Sequence, residues 1–150
     1  MKKGIIFICL LLTSLQLVAQ QQKINLNKEH VAVEGYDLVA YFTENKAVKG
    51  NSMYQATDHG ATYYFSSQKN KEAFEKNSSQ YKPQYGGWCA YAIGKSGEYV
   101  EVDPKTFKII NHKLYLFYNK YLTNTLKLWN KEEATLLPNA DKNWQTLGKK

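Results

Sequence analysis

Only one cysteine lies where a folded domain can use it, so the domain must hold together without an internal disulfide. The chain contains two cysteines. Cys9 sits inside the apolar run 4–19 at the N-terminus, and Cys89 stands far down the chain. A small domain without a cross-link depends on apolar burial. Twelve Tyr, 6 Phe and 3 Trp supply bulky side chains for it, each able to bury a large area. A length of 150 residues suits one such domain better than two.

The first residues have a different character. Met1-Lys2-Lys3 is positive, 4–19 is almost wholly apolar or small, and Gln20-Gln21-Gln22 ends the run. A basic start, a short greasy segment and a small residue at the boundary are the parts of a secretory signal. The expected organisation is a signal peptide 1–19 cleaved after Ala19, a leader segment 20–30, and one domain over 31–147. A membrane span needs about 20 apolar residues. This run is shorter and holds Thr13, Ser14 and Gln16, so no stable membrane anchor is expected once the signal is removed. A lipoprotein signal would place a cysteine at the cleavage point, whereas Cys9 is mid-run. The expected location is the periplasm or the secreted fraction.

The formal charge is +7, from 20 basic and 13 acidic residues, and no basic residue is an arginine. Nucleic-acid readers rely on arginine for bidentate base contacts, so nucleic acid is not an expected partner. A lysine-only surface reads as a solvated face, or one that sits near anionic lipid.

Along the domain, strand-like and helix-like runs are mixed without regular alternation, which favours an α+β fold: a small antiparallel sheet with packed helices. Residues 31–34 read as a short strand. Asp37 reads as the N-cap of a short helix over 38–42. Residues 53–58 and 61–65 flank His59-Gly60 and read as a hairpin. Ser67 then caps a helix that Asn77-Ser78-Ser79 breaks. Residues 81–92, YKPQYGGWCAYA, surround the lone thiol with Tyr81, Tyr85, Trp88 and Tyr91 in a loop. Residues 99–102 read as a strand, and Asp103-Pro104 as a turn. A second hairpin turns at Asn111-His112. Tyr118, Leu122, Leu126 and Trp129 recur at helical spacing and predict a helix over 118–129, with a last short helix over 141–147.

Candidates for chemistry are few. Soft or borderline ligands in the domain are Cys89, His30, His59, His112 and Met53, none at a diagnostic spacing. The expected metal set is Cys89 with His30 and His59. His59 and His112 also suit idle positions on turns, and Cys89 also suits a buried, inert role. A Cys89 nucleophile would need a histidine placed beside it and an oxyanion donor. Asp37, Asp103 and Asp141 stand at turn or cap positions and read as structural.

Several segments together resemble the YHS-domain family, in particular its exported stand-alone members. They are AVEGYDLVAYF (32–42), VKG (48–50), GATYYFSSQKNKEAF (60–74), YKPQYGGWCAYA (81–92), VDPKTFKI (102–109) and KLYLFYN (113–119). The resemblance implies a small metal-associated module, found in copper-transporting ATPases and metal-dependent monooxygenases and similar to zinc-knuckle domains. Family members typically carry Phe-Cys-Ser-x-x-Cys-Lys-x-x-Phe after the hairpin. Here Phe65, Ser67, Lys71 and Phe74 keep that frame, and Ser66 and Asn70 stand in place of the two cysteines. Neutral Ser and Asn are poor substitutes for thiolate on a soft metal. A metal in this subgroup would therefore have to be anchored elsewhere, at Cys89.

Three functions follow as expectations. The first is an exported accessory protein that binds a transition metal, copper by ligand chemistry, through Cys89. The second is a non-enzymatic module for a ligand or an envelope protein partner, with Cys89 structural. The third, ranked last, is a Cys89-dependent enzyme.

Overall fold

The computed structural model describes residues 22–149. The expected signal peptide 1–19, its cleavage point and Cys9 lie outside the described residues. The domain is α+β. Helix α1 (Leu38–Thr43) begins where the Asp37 carboxylate accepts from the Val39 and Ala40 amides, two of the donors a helix start leaves unpaired. Strands β1 (Asn51–Asp58) and β2 (Ala61–Phe65) form an antiparallel hairpin. Its turn residues His59 and Gly60 both have positive φ, 49° and 80°, the mirror-image turn that suits strand twist. Helix α2 (Gln68–Lys76) is capped by Ser67, and α3 (Ser78–Tyr81) follows at once.

After Pro83 a 3-10 turn over Gln84–Gly87 carries three consecutive positive φ angles, at Tyr85, Gly86 and Gly87. It delivers the chain into α4 (Ala90–Ser96), which ends on a left-handed Gly97. The cysteine-bearing segment, expected as a loop, therefore runs into a helix at Ala90. Strands β3 (Asp103–Ile110) and β4 (Lys113–Phe117) form the second hairpin. Strands β5 (Asn119–Lys120) and β6 (Thr123–Asn124) form a third, very short one. Among the described residues each pair is its own two-stranded sheet. Helix α5 (Thr125–Leu147) closes the fold, broken in its geometry at Glu132.

Five local expectations are corrected. Residues 31–34 make isolated bridges from Val31 to Thr62 and from Ala32 to Leu26, then a 3-10 turn over Val33–Gly35. The chain has to swing there to bring Asp37 to Val48, whose carbonyl accepts the Asp37 amide. Residues 99–102 pair with no strand; the Val100 carbonyl accepts the Cys89 amide instead. Asp103-Pro104 opens β3 at a register shift before Phe107, an irregularity where a proline's missing N–H does no harm. The helix expected over 118–129 starts only at Thr125, because the Asn124 side chain accepts from the Leu126 and Lys127 amides. Residues 141–147 are the end of the same α5.

The core is in two parts that meet at β4. Leu114 and Leu116 pack with α1, the β1–β2 hairpin and Phe74. Tyr115 and Phe117 pack with Ile93, Trp129, Leu136 and Ala140. Side chains alternate across a strand, so β4 is buried on both faces. Helices α4 and α5 approach closely at Gly94, where a Cβ would stand 2.8 Å from the Leu136 carbonyl oxygen. No helix among the described residues is long and apolar enough to cross a membrane.

Candidate functional site

Asp37 does more than cap α1. It is fully buried, and its second oxygen, Oδ2, accepts from the Ser66 amide at 2.7 Å, the Ser66 hydroxyl at 2.6 Å and the Asn70 side-chain amide at 2.7 Å. With the Val39 and Ala40 amides on Oδ1, one carboxylate receives five donors. A buried carboxylate is tolerable only when its lone pairs are met in this way. Ser66 and Asn70 themselves stand 3.3 Å apart, one helical turn across the start of α2.

Cys89 lies at the start of α4, fully buried. Its sulfur is 3.3 Å from the Thr125 hydroxyl and accepts from the Tyr118 amide at 3.4 Å. The Thr125 hydroxyl also donates to the Tyr118 carbonyl at 2.9 Å. The thiol thus sits in a closed cluster that ties α4 to the first turn of α5. The expected ligand partners are elsewhere. His30 and His59 are exposed turn residues with φ of 60° and 49°. His59 Nε2 lies 3.3 Å from Asp58 Oδ1. His112 is exposed on the second hairpin, and Met53 is exposed on β1. Among the described residues no three His, Cys, Asp or Glu side chains gather where they could hold a metal. The set Cys89, His30 and His59 is therefore not brought together: the thiol is enclosed and the imidazoles face water.

A groove was not legible in the sequence. The segment 22–25 lies along the 3-10 turn of Gln84–Gly87, where the Asn25 amide donates to the Gly86 carbonyl at 2.9 Å and Trp88 Nε1 donates to the Lys23 carbonyl at 3.0 Å. The Lys23 ammonium sits 5.2 Å from the Trp88 ring centre and 5.3 Å from that of Tyr99, a cation–π arrangement that adds to the clasp. Gly86 is required here: a Cβ would lie 2.6 Å from the Lys23 carbonyl oxygen. Beside this clasp opens a cavity of about 380 Å³, with Gln22, His59, Ser79, Lys82 and Gln84 as polar lining and Ile24, Pro83, Tyr85 and Trp144 as apolar lining. Adjoining it is a narrower pocket of about 60 Å³ bounded by Ala32, Val33 and Tyr63. The two share Ile24, Lys82, Pro83 and Gly86.

The groove's ionisable groups are held in place. Asp58 Oδ2 binds Lys82 Nζ at 2.5 Å and the Ser78 hydroxyl at 2.8 Å. Lys82 first, then Ser78, hold the Asp58 carboxyl below its ordinary value. Burial, and after it the Asp58 charge, push the Tyr63 phenol up to about 12. Burial also raises Tyr85, helped by its hydrogen bond to Asp141 at 2.8 Å. Both phenols stay protonated and can donate across the neutral range.

Residues 39–85 match the model of the YHS domain family. The chain carries a YHS domain. No curated protein and no solved structure matches the chain. The matched span runs from α1 through both strands of the first hairpin, α2 and α3 to Tyr85 of the 3-10 turn. Within this YHS domain the two positions where the family resemblance places thiolates are Ser66 and Asn70. Both are hydrogen-bonded to Asp37 and offer no soft donor, so they do not fit a copper or zinc ion. Cys89 lies beyond the matched span.

Proposed function

We propose that this YHS-domain protein is an exported, non-catalytic accessory module that binds a small amphipathic ligand in the groove beside the 22–25 clasp, with Cys89 in a structural role. The observation that carries the reading is the adjacency of two cavities, a narrow one that is almost wholly apolar and a wider one whose lining mixes apolar and polar side chains. The narrow pocket is walled by Ile24, Ala32, Val33 and Tyr63. The wider mouth presents Lys82, His59, Ser79 and Gln84. A small apolar group would enter the first, and the body and polar head group of the ligand would occupy the second, where apolar walls and a few polar groups lie together as in an ordinary ligand site. The structural role for Cys89 is supported by its full burial and by two polar contacts already made to its sulfur. A reactive or metal-binding thiol is ordinarily reachable and lies in an electropositive setting.

The test uses anilinonaphthalene sulfonate, which has an apolar body and a polar head, with the full chain. Saturable binding with enhanced fluorescence is expected. It should fall at least tenfold in Ile24→Glu and several-fold in Lys82→Gln. Equal binding by all three proteins would overturn the groove as the site. A parallel Cu(I) competition titration compares reduced Cys9→Ser with Cys9→Ser/Cys89→Ser. No difference between them is expected. Stoichiometric binding lost with Cys89 would overturn the structural role and restore copper as the ligand.

A further inference from the structure

The tip of the third hairpin is built against the usual rules. Tyr121 and Leu122 are the two turn residues between β5 and β6, and they are 90% and 109% exposed. Both have positive φ, 50° and 65°, where Asn-Gly is the ordinary choice. Neither burial nor backbone preference accounts for two large apolar side chains at this apex. Leu122 also borders a surface depression with Leu128, Lys127 and Lys131. Lys127 and Lys131 are one turn apart on α5, and Lys120 pairs with Thr123 beside the tip. Among the described residues none of these three lysines is in an ion pair. The neighbouring acids of α5, Glu132 and Glu133, are engaged by Lys95 and Lys108.

We propose that this tip docks the protein on an anionic lipid surface, with Tyr121 and Leu122 entering the headgroup boundary and Lys120, Lys127 and Lys131 meeting the phosphates. The charge is complementary: the chain carries +7, and it stays positive without Lys2 and Lys3 of the expected signal peptide. The shape also favours lipid over a protein partner. The apolar pair projects as a wedge at a turn, and a soft interface accepts a wedge without a matching pocket. Tyrosine is at home at the membrane–water boundary, and lysine stems lie along apolar surface with the ammonium in water. Strain held at an exposed turn is a common mark of a working segment. Each lysine near such a surface adds roughly fivefold in affinity.

The experiment places a polarity-sensitive dye at the tip of the full chain, on Leu122→Cys with Cys9→Ser, Cys89 being buried. It is mixed with vesicles of phosphatidylcholine alone or of phosphatidylcholine with phosphatidylglycerol. The dye should shift to the blue only on the anionic vesicles, and the shift should disappear when Lys120, Lys127 and Lys131 are all changed to Gln. In flotation, Tyr121→Asn/Leu122→Gly should bind at least tenfold more weakly than wild type. Those residues suit the turn, so the variant should melt no lower than wild type. A dye that stays in water on anionic vesicles overturns the proposal, and so does an equal shift on neutral ones. Concentration-dependent dimerisation abolished in Tyr121→Asn/Leu122→Gly would place a second copy on the tip and overturn the lipid reading.

Discussion

A carboxylate shut away from water is stable only while donors surround it, and Asp37 depends on residues far from it in sequence. Its role as a helix cap is legible from Asp37 and the apolar run behind it. Its bonds to Ser66 and Asn70 are not, because they span 29 and 33 residues and exist only once the hairpin has folded. The same holds for Cys89, whose partners Tyr118 and Thr125 are 29 and 36 residues away. Sequence reading could recognise the lone thiol and could not tell whether it was enclosed. Asp37→Ala removes the acceptor and leaves the buried Val39 and Ala40 amides and the half-buried donors of Ser66 and Asn70 unmet. We expect a loss of about 3 kcal/mol in urea unfolding, since hydrogen bonds to a charged group contribute about 1.5–3 kcal/mol each and hydration of the freed donors and of the lost carboxylate offsets much of the sum. A loss under about 0.5 kcal/mol would mean that the network adds nothing to stability.

Elements with strong local signals, such as the His59-Gly60 turn and the Ser67 cap, follow from their own residues. The third hairpin does not. Tyr118, Leu122, Leu126 and Trp129 have helical spacing by coincidence, since Leu122 points into solvent and Trp129 into the core. The local mark of the true helix start is Asn124, whose side chain caps it. Helix α4 was equally hidden, because its register is fixed by contact with α5 rather than by its own short sequence. Gly94 is where that contact is tightest. Alanine normally improves a helix interior over glycine by about 1 kcal/mol. Here the added methyl would meet the Leu136 carbonyl at 2.8 Å, and backbone gives way poorly. Gly94→Ala should therefore destabilise, by about 1–3 kcal/mol, read as a lower melting temperature. A higher one would show that α4 and α5 can part freely.

For the molecule as a whole, the α+β class was legible from the mixture of strand and helix signals. The division of the strands into three separate hairpins was not, since nothing local says which edges stay unpaired. One long-range link can be read through pH. The Asp58 carboxyl joins the first hairpin to Lys82 and Ser78, and its folded value lies below the ordinary 3.8. A group depressed on folding contributes fully above its unfolded value and loses that contribution as pH falls through the folded one. The melting temperature of wild type should thus drop more steeply than that of Asp58→Asn between about pH 5 and pH 3. The effect is small, as expected of a link near the surface. Parallel curves would show that the link adds no stability.

The burial of β4 on both faces has a consequence for the borders of the YHS domain itself. Residues 39–85 carry the matched pattern, yet the inner side of their hairpin rests on Leu114 and Leu116, which come from beyond it. Cut out alone, that stretch would expose to water the side chains it now shares with β4. In this protein the recognisable motif is therefore not a portable unit: a strand from beyond it supplies part of the floor on which it stands.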